Sequence, residues 1–214
     1  MAIEFNHETN DIVNSTGEVK FNGVAVGGDN TPIPFVGSRG LFAGGYNVNT
    51  IHYITIPTPG NSVDFGDLVG NRYYMGGLSN AVRGVFAGGA SSDVIQYVTI
   101  STTGNATDFG DLTVGRSRLA GVSSTTRGVF GGGSNTNTID YITIDTTGNA
   151  TDFGDLTINQ YFVTAACSET RGVFGGYDSN NNGTMNYITI ATTGNATDFG
   201  DLYSAIGYSS CAGD

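Results

Sequence analysis

"TTGNATDFGDL" occupies Thr102–Leu112, Thr146–Leu156 and Thr192–Leu202 without a change, and "TPGNSVDFGDL" at Thr58–Leu68 departs from it at three positions. The rest of the chain falls into step with this phrase. Arg-Gly-apolar-Phe recurs as "RGLF" at Arg39 and "RGVF" at Arg83, Arg127 and Arg171, a spacing of 44 residues each time. Between these anchors come a glycine pair and then "IHYITI", "IQYVTI", "IDYITI" or "MNYITI". After the DFGD phrase follows a looser segment such as "RSRLAGVSS" at Arg116–Ser124. A period in this range marks a solenoid or a propeller, and it has to be recognised before any single motif is read.

Each unit offers four strand candidates, which in the second unit are "GVFAG", "VIQYVTI", "TDFGDL" and "RLAGVSS". Four strands of ~5–6 residues leave ~5 residues per connection, the span of antiparallel hairpins. Alternation puts Tyr97 and Thr99 on one face and Val98 and Ile100 on the other. Bulky groups on both faces require the sheet to be sandwiched between similar sheets, which radial packing supplies. The expected fold is all-β, a four-bladed β-propeller of about 44 residues per blade over residues 39–214. Residues 1–38 do not match the repeat and are expected to form a separate N-terminal arm.

The parts resemble kelch-type blades: an inner strand "RLAGVSS", a second ending in a glycine pair, a third with a tyrosine, and a fourth with Phe109 where kelch blades usually carry tryptophan. The wording "RGVFGGG…YITI…TTGNATDFGDL" is similar to the repeats of virion proteins from marine tailed phages, tail-fibre proteins among them. The resemblance covers residues 39–214. It implies a non-enzymatic bacteriophage structural protein, a tail fibre or surface component for host attachment or assembly, made in the host cytoplasm and located in the virion. A capsid decoration protein and a free carbohydrate-binding lectin are the alternative readings.

Composition bounds the function. The 214 residues carry a formal net charge of −11 with only eight Lys and Arg, so nucleic acid and anionic membranes are not expected partners. Thirty-four glycines and no tryptophan favour short strands and turns over helices. No apolar run reaches the ~20 residues of a membrane span, and "MAIEFNHETN" does not read as a signal peptide. Cys167 and Cys211 form neither a metal spacing nor a disulfide framework. His7 and His52 are the only histidines, and no Ser-His-Asp, paired-Glu or phosphate-loop pattern is visible. No catalytic residue, metal or cofactor is therefore expected.

The DFGD acids have two readings. Asp108 and Asp111 are hard oxygen ligands three residues apart, but they lack the alternating acids of a calcium loop. The structural reading is favoured. Phe109 fills the space between blades, Gly110 permits a bulge, and the aspartates accept backbone hydrogen bonds at strand ends. The arginines at 39, 83, 127 and 171 are expected to pair with aspartates of neighbouring blades, the alternative being a ring of arginines that holds an anionic ligand.

The copies also differ from one another in a regular way. The connection "TTGNAT" and the Ser/Thr-rich connection before "RG" are uniform, whereas those after the glycine pair and after DFGDL vary. In an up-and-down blade alternate connections share one end, so one end of the propeller is variable. It gathers Asn47, Asp93, Arg116, Asn159, Asp178 and Tyr203, and the candidate receptor contacts Tyr46, Arg72, Tyr73, Arg118, Tyr161 and Tyr177. Rigid tyrosines beside small polar residues suit recognition, here of a host-surface glycan.

Two further expectations concern the chain's ends. "NSTGEVKFNGVAVGG" at residues 14–28 reads as a hairpin that joins the protein to virion partners or to other copies. The C-terminal "IGYSSCA" is expected to close the ring as the inner strand of the first blade. "PIPFVGS" at residues 32–38, or a homo-oligomer sharing blades, are the alternatives.

Overall fold

The structure is a computed structural model in which residues 3–6, 11–14, 20–21, 24–25, 39–178 and 183–204 are described. The chain divides into two compact units, 1–38 and 39–214. In the first, β1 (Ile3–Asn6) pairs antiparallel with β2 (Asp11–Asn14), and β3 (Lys20–Phe21) with β4 (Val24–Ala25). The β3–β4 hairpin lies where the turn signal Asn22-Gly23 puts it. The β1–β2 pair was not anticipated, because "IEFN" and "DIVN" are short and weakly alternating.

The second unit is a four-bladed β-propeller with no helix among the described residues. The first sheet holds β5 (Arg39–Gly45), β6 (Val48–Thr55) and β7 (Val63–Asp67). The second holds β8 (Gly76–Ser79), β9 (Arg83–Ala87), β10 (Val94–Thr99) and β11 (Thr107–Asp111). The third holds β12 (Ala120–Ser123), β13 (Arg127–Gly131), β14 (Thr136–Thr143) and β15 (Thr151–Gln160). The fourth holds β16 (Phe162–Cys167), β17 (Arg171–Tyr177), β18 (Thr184–Thr189) and β19 (Thr197–Asp201). Each is an antiparallel meander in chain order, as short strands joined by tight connections must be. The segments that would close the ring, residues 32–38 and 205–214, lie outside the described residues, as does Cys211.

The core consists of hydrophobic clusters between consecutive sheets. Ile51, Phe65 and Leu68 of the first blade enclose Val98 of the second. Ile95, Phe109 and Leu112 of the second meet Phe130, Ile142 and Ile144 of the third. Ile139, Phe153 and Leu156 then meet Phe174, Ile188 and Ile190. The expected two-faced burial follows: Ile95 and Val98 are both buried on one strand.

The eleven-residue phrase is a self-mating joint. The Gly104 N–H donates to the Phe65 carbonyl at 2.7 Å, the Ala106 N–H to the Asp67 carbonyl at 2.8 Å, and the Asp67 N–H to Asn105 Oδ1 at 3.0 Å. The same bonds recur at the next joint: the Gly148 and Ala150 N–H groups donate to the Phe109 and Asp111 carbonyls, and the Asp111 N–H to Asn149 Oδ1. They recur again at the third joint: the Gly194 and Ala196 N–H groups donate to the Phe153 and Asp155 carbonyls, and the Asp155 N–H to Asn195 Oδ1. The "TTGNA" half of one copy therefore binds the "DFGD" half of the copy before it. The glycine of DFGD sits at a bulge with φ of 143° at Gly110, and a Cβ there would lie 2.4 Å from the Gly148 carbonyl oxygen. Glycine is required because the next blade's backbone takes the place of a side chain.

Two expectations need correction. The arginines do not pair with aspartates among the described residues. Arg39, Arg83, Arg127 and Arg171 lie 4.4 to 4.7 Å over the rings of Tyr53, Tyr97, Tyr141 and Tyr187. Three of them also donate to carbonyls of the next blade: Arg39 to Ile100, Arg83 to Ile144 and Arg127 to Ile190. A planar guanidinium gains a ring face and a fixed acceptor there, whereas a surface carboxylate in water offers little. The DFGD carboxylates likewise are not the strand-end acceptors expected. Asparagine side chains take that role, and only Asp198 accepts a backbone N–H, from Gly200, among the described residues.

At the uniform end, Glu169 accepts the Thr125 N–H at 2.9 Å and its hydroxyl at 2.8 Å. These bonds, backbone first, hold the Glu169 carboxyl below the usual carboxylate range. Their stabilisation is present above the unfolded-state pKa of about 4.3 and is lost as pH falls through the lowered folded value. A carboxyl NMR titration should place the Glu169 midpoint below that value, and Glu169→Gln should abolish the effect.

Candidate functional site

The glycine pair after each second strand turns the chain into a tight connection that meets the connection after its own blade's fourth strand and, at Ala90, the one after the previous blade's. The Gly45 N–H donates to the Arg72 carbonyl at 2.8 Å, Gly89 to Arg116 at 2.9 Å, and Ala90 to Tyr73 at 3.1 Å. Both variable sets of connections thus stand at one end of the propeller.

Across this end runs a chain of aromatic rings. Tyr46 lies 5.5 Å from Tyr73, and Tyr73 lies 5.2 Å from Tyr74. Tyr74 meets Phe162 edge-on at 6.3 Å, Phe162 stacks on Tyr177 at 5.6 Å, and Tyr177 stacks on Tyr161 at 6.2 Å. Arg118 is inserted between blades of this ribbon, 5.0 Å from the Tyr74 ring and 4.5 Å from that of Phe162. A cleft of about 490 Å³ opens beside it, lined by Tyr46, Tyr73, Tyr74, Met75 and Phe86.

Tyr74, Arg118 and Phe162 occupy the same place in successive repeats, six residues after the leucine of DFGDL. The Arg118 N–H donates to the Tyr74 carbonyl at 2.7 Å, and the Val163 N–H to the Arg118 carbonyl at 3.0 Å. Tyr74 and Arg118 hold φ of 61° and 64°, the left-handed region that bulky residues avoid. Such conformations cost about 1–3 kcal/mol each and cluster at sites where side-chain aim matters. Arg72 Nε and Arg118 Nε are buried without a hydrogen-bond acceptor.

Of the six candidate contacts, Tyr46, Tyr73, Arg118, Tyr161 and Tyr177 fall in this ribbon. Arg72 stands next to it and is half-buried, its backbone carbonyl holding Gly45. Tyr74 and Phe162 were missed. They follow Tyr73 and Tyr161 directly, and only comparing equivalent positions of the repeats could have singled them out. Arg116 is not a surface residue. It is wholly buried, donates to Asp140 Oδ2 at 2.6 Å, and also donates to the carbonyls of Gly132 and Phe130. Burial pulls its pKa down, while the charge and hydrogen bond of Asp140 oppose that. Asp178 is also buried, and Tyr203 is fully exposed. Among the described residues no three His, Cys, Asp or Glu side chains converge as a metal site would require, and no helix is long and apolar enough to cross a membrane.

The chain is thus a β-propeller with an aromatic and arginine-bearing end. No protein-family model and no curated protein matches it. Among solved structures it is similar to YjhT, with a TM-score of 0.65 and 6% identity over 79% of this chain and 65% of that one. It is also similar to Kuenenia stuttgartiensis hydrazine synthase, with a TM-score of 0.53 and 14% identity over 76% of this chain and 45% of that one. The chain spans just under two thirds of the first and under half of the second. At these identities the likeness is of fold alone.

Proposed function

We propose that this protein is a non-enzymatic virion component of a tailed phage, on a tail fibre or the particle surface, whose variable end binds a host-surface glycan. The observation that carries the binding role is the ribbon from Tyr46 to Tyr161 with Arg118 held inside it. The ring faces are of the kind that stack on sugars, and a guanidinium fixed among them suits an acidic sugar or its hydroxyls. The virion role rests on the resemblance of the repeated phrase to marine phage repeats of the kelch type. The arm, residues 1–38, is the proposed attachment to other virion proteins.

The triple substitution Tyr73→Ala, Tyr161→Ala, Tyr177→Ala should cut adsorption of mutant particles to host cells by about tenfold or more, the effect of losing ~1.4 kcal/mol of binding. Glycan-array binding of the isolated protein, with melting curves alongside, separates lost recognition from lost fold. Unchanged adsorption and unchanged array binding by a folded triple variant would overturn the receptor role.

A further inference from the structure

The joint between consecutive blades is built three times among the described residues, and both of its halves are left over once. The first copy's "TPGN" half grips no DFGD half among the described residues. Among the described residues neither Gly60 nor Asn61 makes the bonds of Gly104 and Asn105. The last copy's DFGD half is equally bare. A Cβ at Gly200 would meet nothing within 4 Å, whereas one at Gly66, Gly110 or Gly154 would lie 2.4 to 2.5 Å from a carbonyl oxygen of the next blade. Phe199 is 49% exposed where Phe65, Phe109 and Phe153 are 2 to 3% exposed.

The deeper part of the joint repeats the pattern. Gln96 accepts the Val69 N–H, Asp140 the Thr113 hydroxyl, and Asn186 the Thr157 N–H, each across one joint. The equivalent pair at the unmade joint is His52 and Tyr203, and both are exposed. Ile56 is exposed as well, although its counterparts Ile144 and Ile190 are wholly buried and take the arginine bonds of the preceding blade.

We infer that these two faces mate with each other between copies of this chain, the first blade of one copy docking on the fourth blade of the next. The occupant is a second copy because the two faces are the halves of a joint that the chain already builds three times, with the same glycine cradle, asparagine acceptor and phenylalanine plug. The contact is head-to-tail. Such an interface closes into a ring or grows as a filament, and it uses different surfaces on its two partners.

Sedimentation of the full chain tests this. Species heavier than the 22.1 kDa monomer should appear as concentration rises. Gly60→Trp, placed in open space, should remain folded and lose that association, and so should Phe199→Glu on the opposite face. Mixing the two variants should not restore growth beyond a dimer, because each retains only one working face. A wild-type chain that stays monomeric throughout the micromolar range would overturn the inference, the faces then being satisfied within one chain. Association that survives both substitutions would overturn it too, since it would be made elsewhere.

Discussion

Phe109→Ala is expected to lower the unfolding free energy by about 3–5 kcal/mol, the usual loss on emptying a buried aromatic site. Phe109 packs edge-on against Tyr97 at 5.8 Å and is closed over by the third blade. The same substitution at Phe199, in the same phrase, is expected to change stability by no more than about 0.5 kcal/mol in the dilute monomer. Phe199 keeps the equivalent tyrosine, Tyr187, at 6.0 Å but has no blade over it. The pair isolates what the neighbouring blade contributes, because the local sequence is identical. Urea denaturation of both variants, with midpoints compared at constant slope, checks it. Equal losses at the two positions would mean that the phrase is stabilised within its own blade.

The second large effect concerns the buried ion pair. Asp140→Ala should destabilise by about 3–5 kcal/mol, because Arg116 would then be a buried guanidinium facing only carbonyls. Removing both charges together, as Arg116→Met with Asp140→Leu, should restore much of that loss, since desolvation opposes most of what the pair gains. A double-mutant cycle on denaturation midpoints measures the difference. If the double variant were as unstable as Asp140→Ala, packing around Arg116 and not its charge would be the cause.

The repeat alone was enough to read the propeller, its blade length and the order of strands within a blade, because the same period appears in glycine pairs, alternating strands and the DFGD phrase. The shared end of the variable connections was legible for the same reason: in a meander, connection parity decides the end. What stayed hidden depended on contacts between blades. Nothing local to "GRSR" distinguishes Arg116 from Arg118, yet one is sealed against Asp140 and the other lies between two rings. The roles of the repeated arginines were misread because ring faces and carbonyls of the next blade are invisible in a linear pattern. The joint itself was half legible: glycine signalled a close approach, but the partner that approaches is the next copy of the same words.

That last point raises a problem of address. Identical joints cannot tell the correct neighbour from the blade beyond it, and closing a loop of twice the length costs only about 0.6 kcal/mol more. A folding chain could therefore skip a blade at little penalty if the eleven-residue phrase were its only guide. The side chains buried behind the phrase differ, however: Gln96 at one joint, Asp140 at the next and Asn186 at the third, each with its own donor. A skipped blade would leave Arg116 without its carboxylate, and the correct order is favoured by an amount several times larger than the loop term. The ionic pair, costly to bury, thus acts as a serial number on otherwise interchangeable parts.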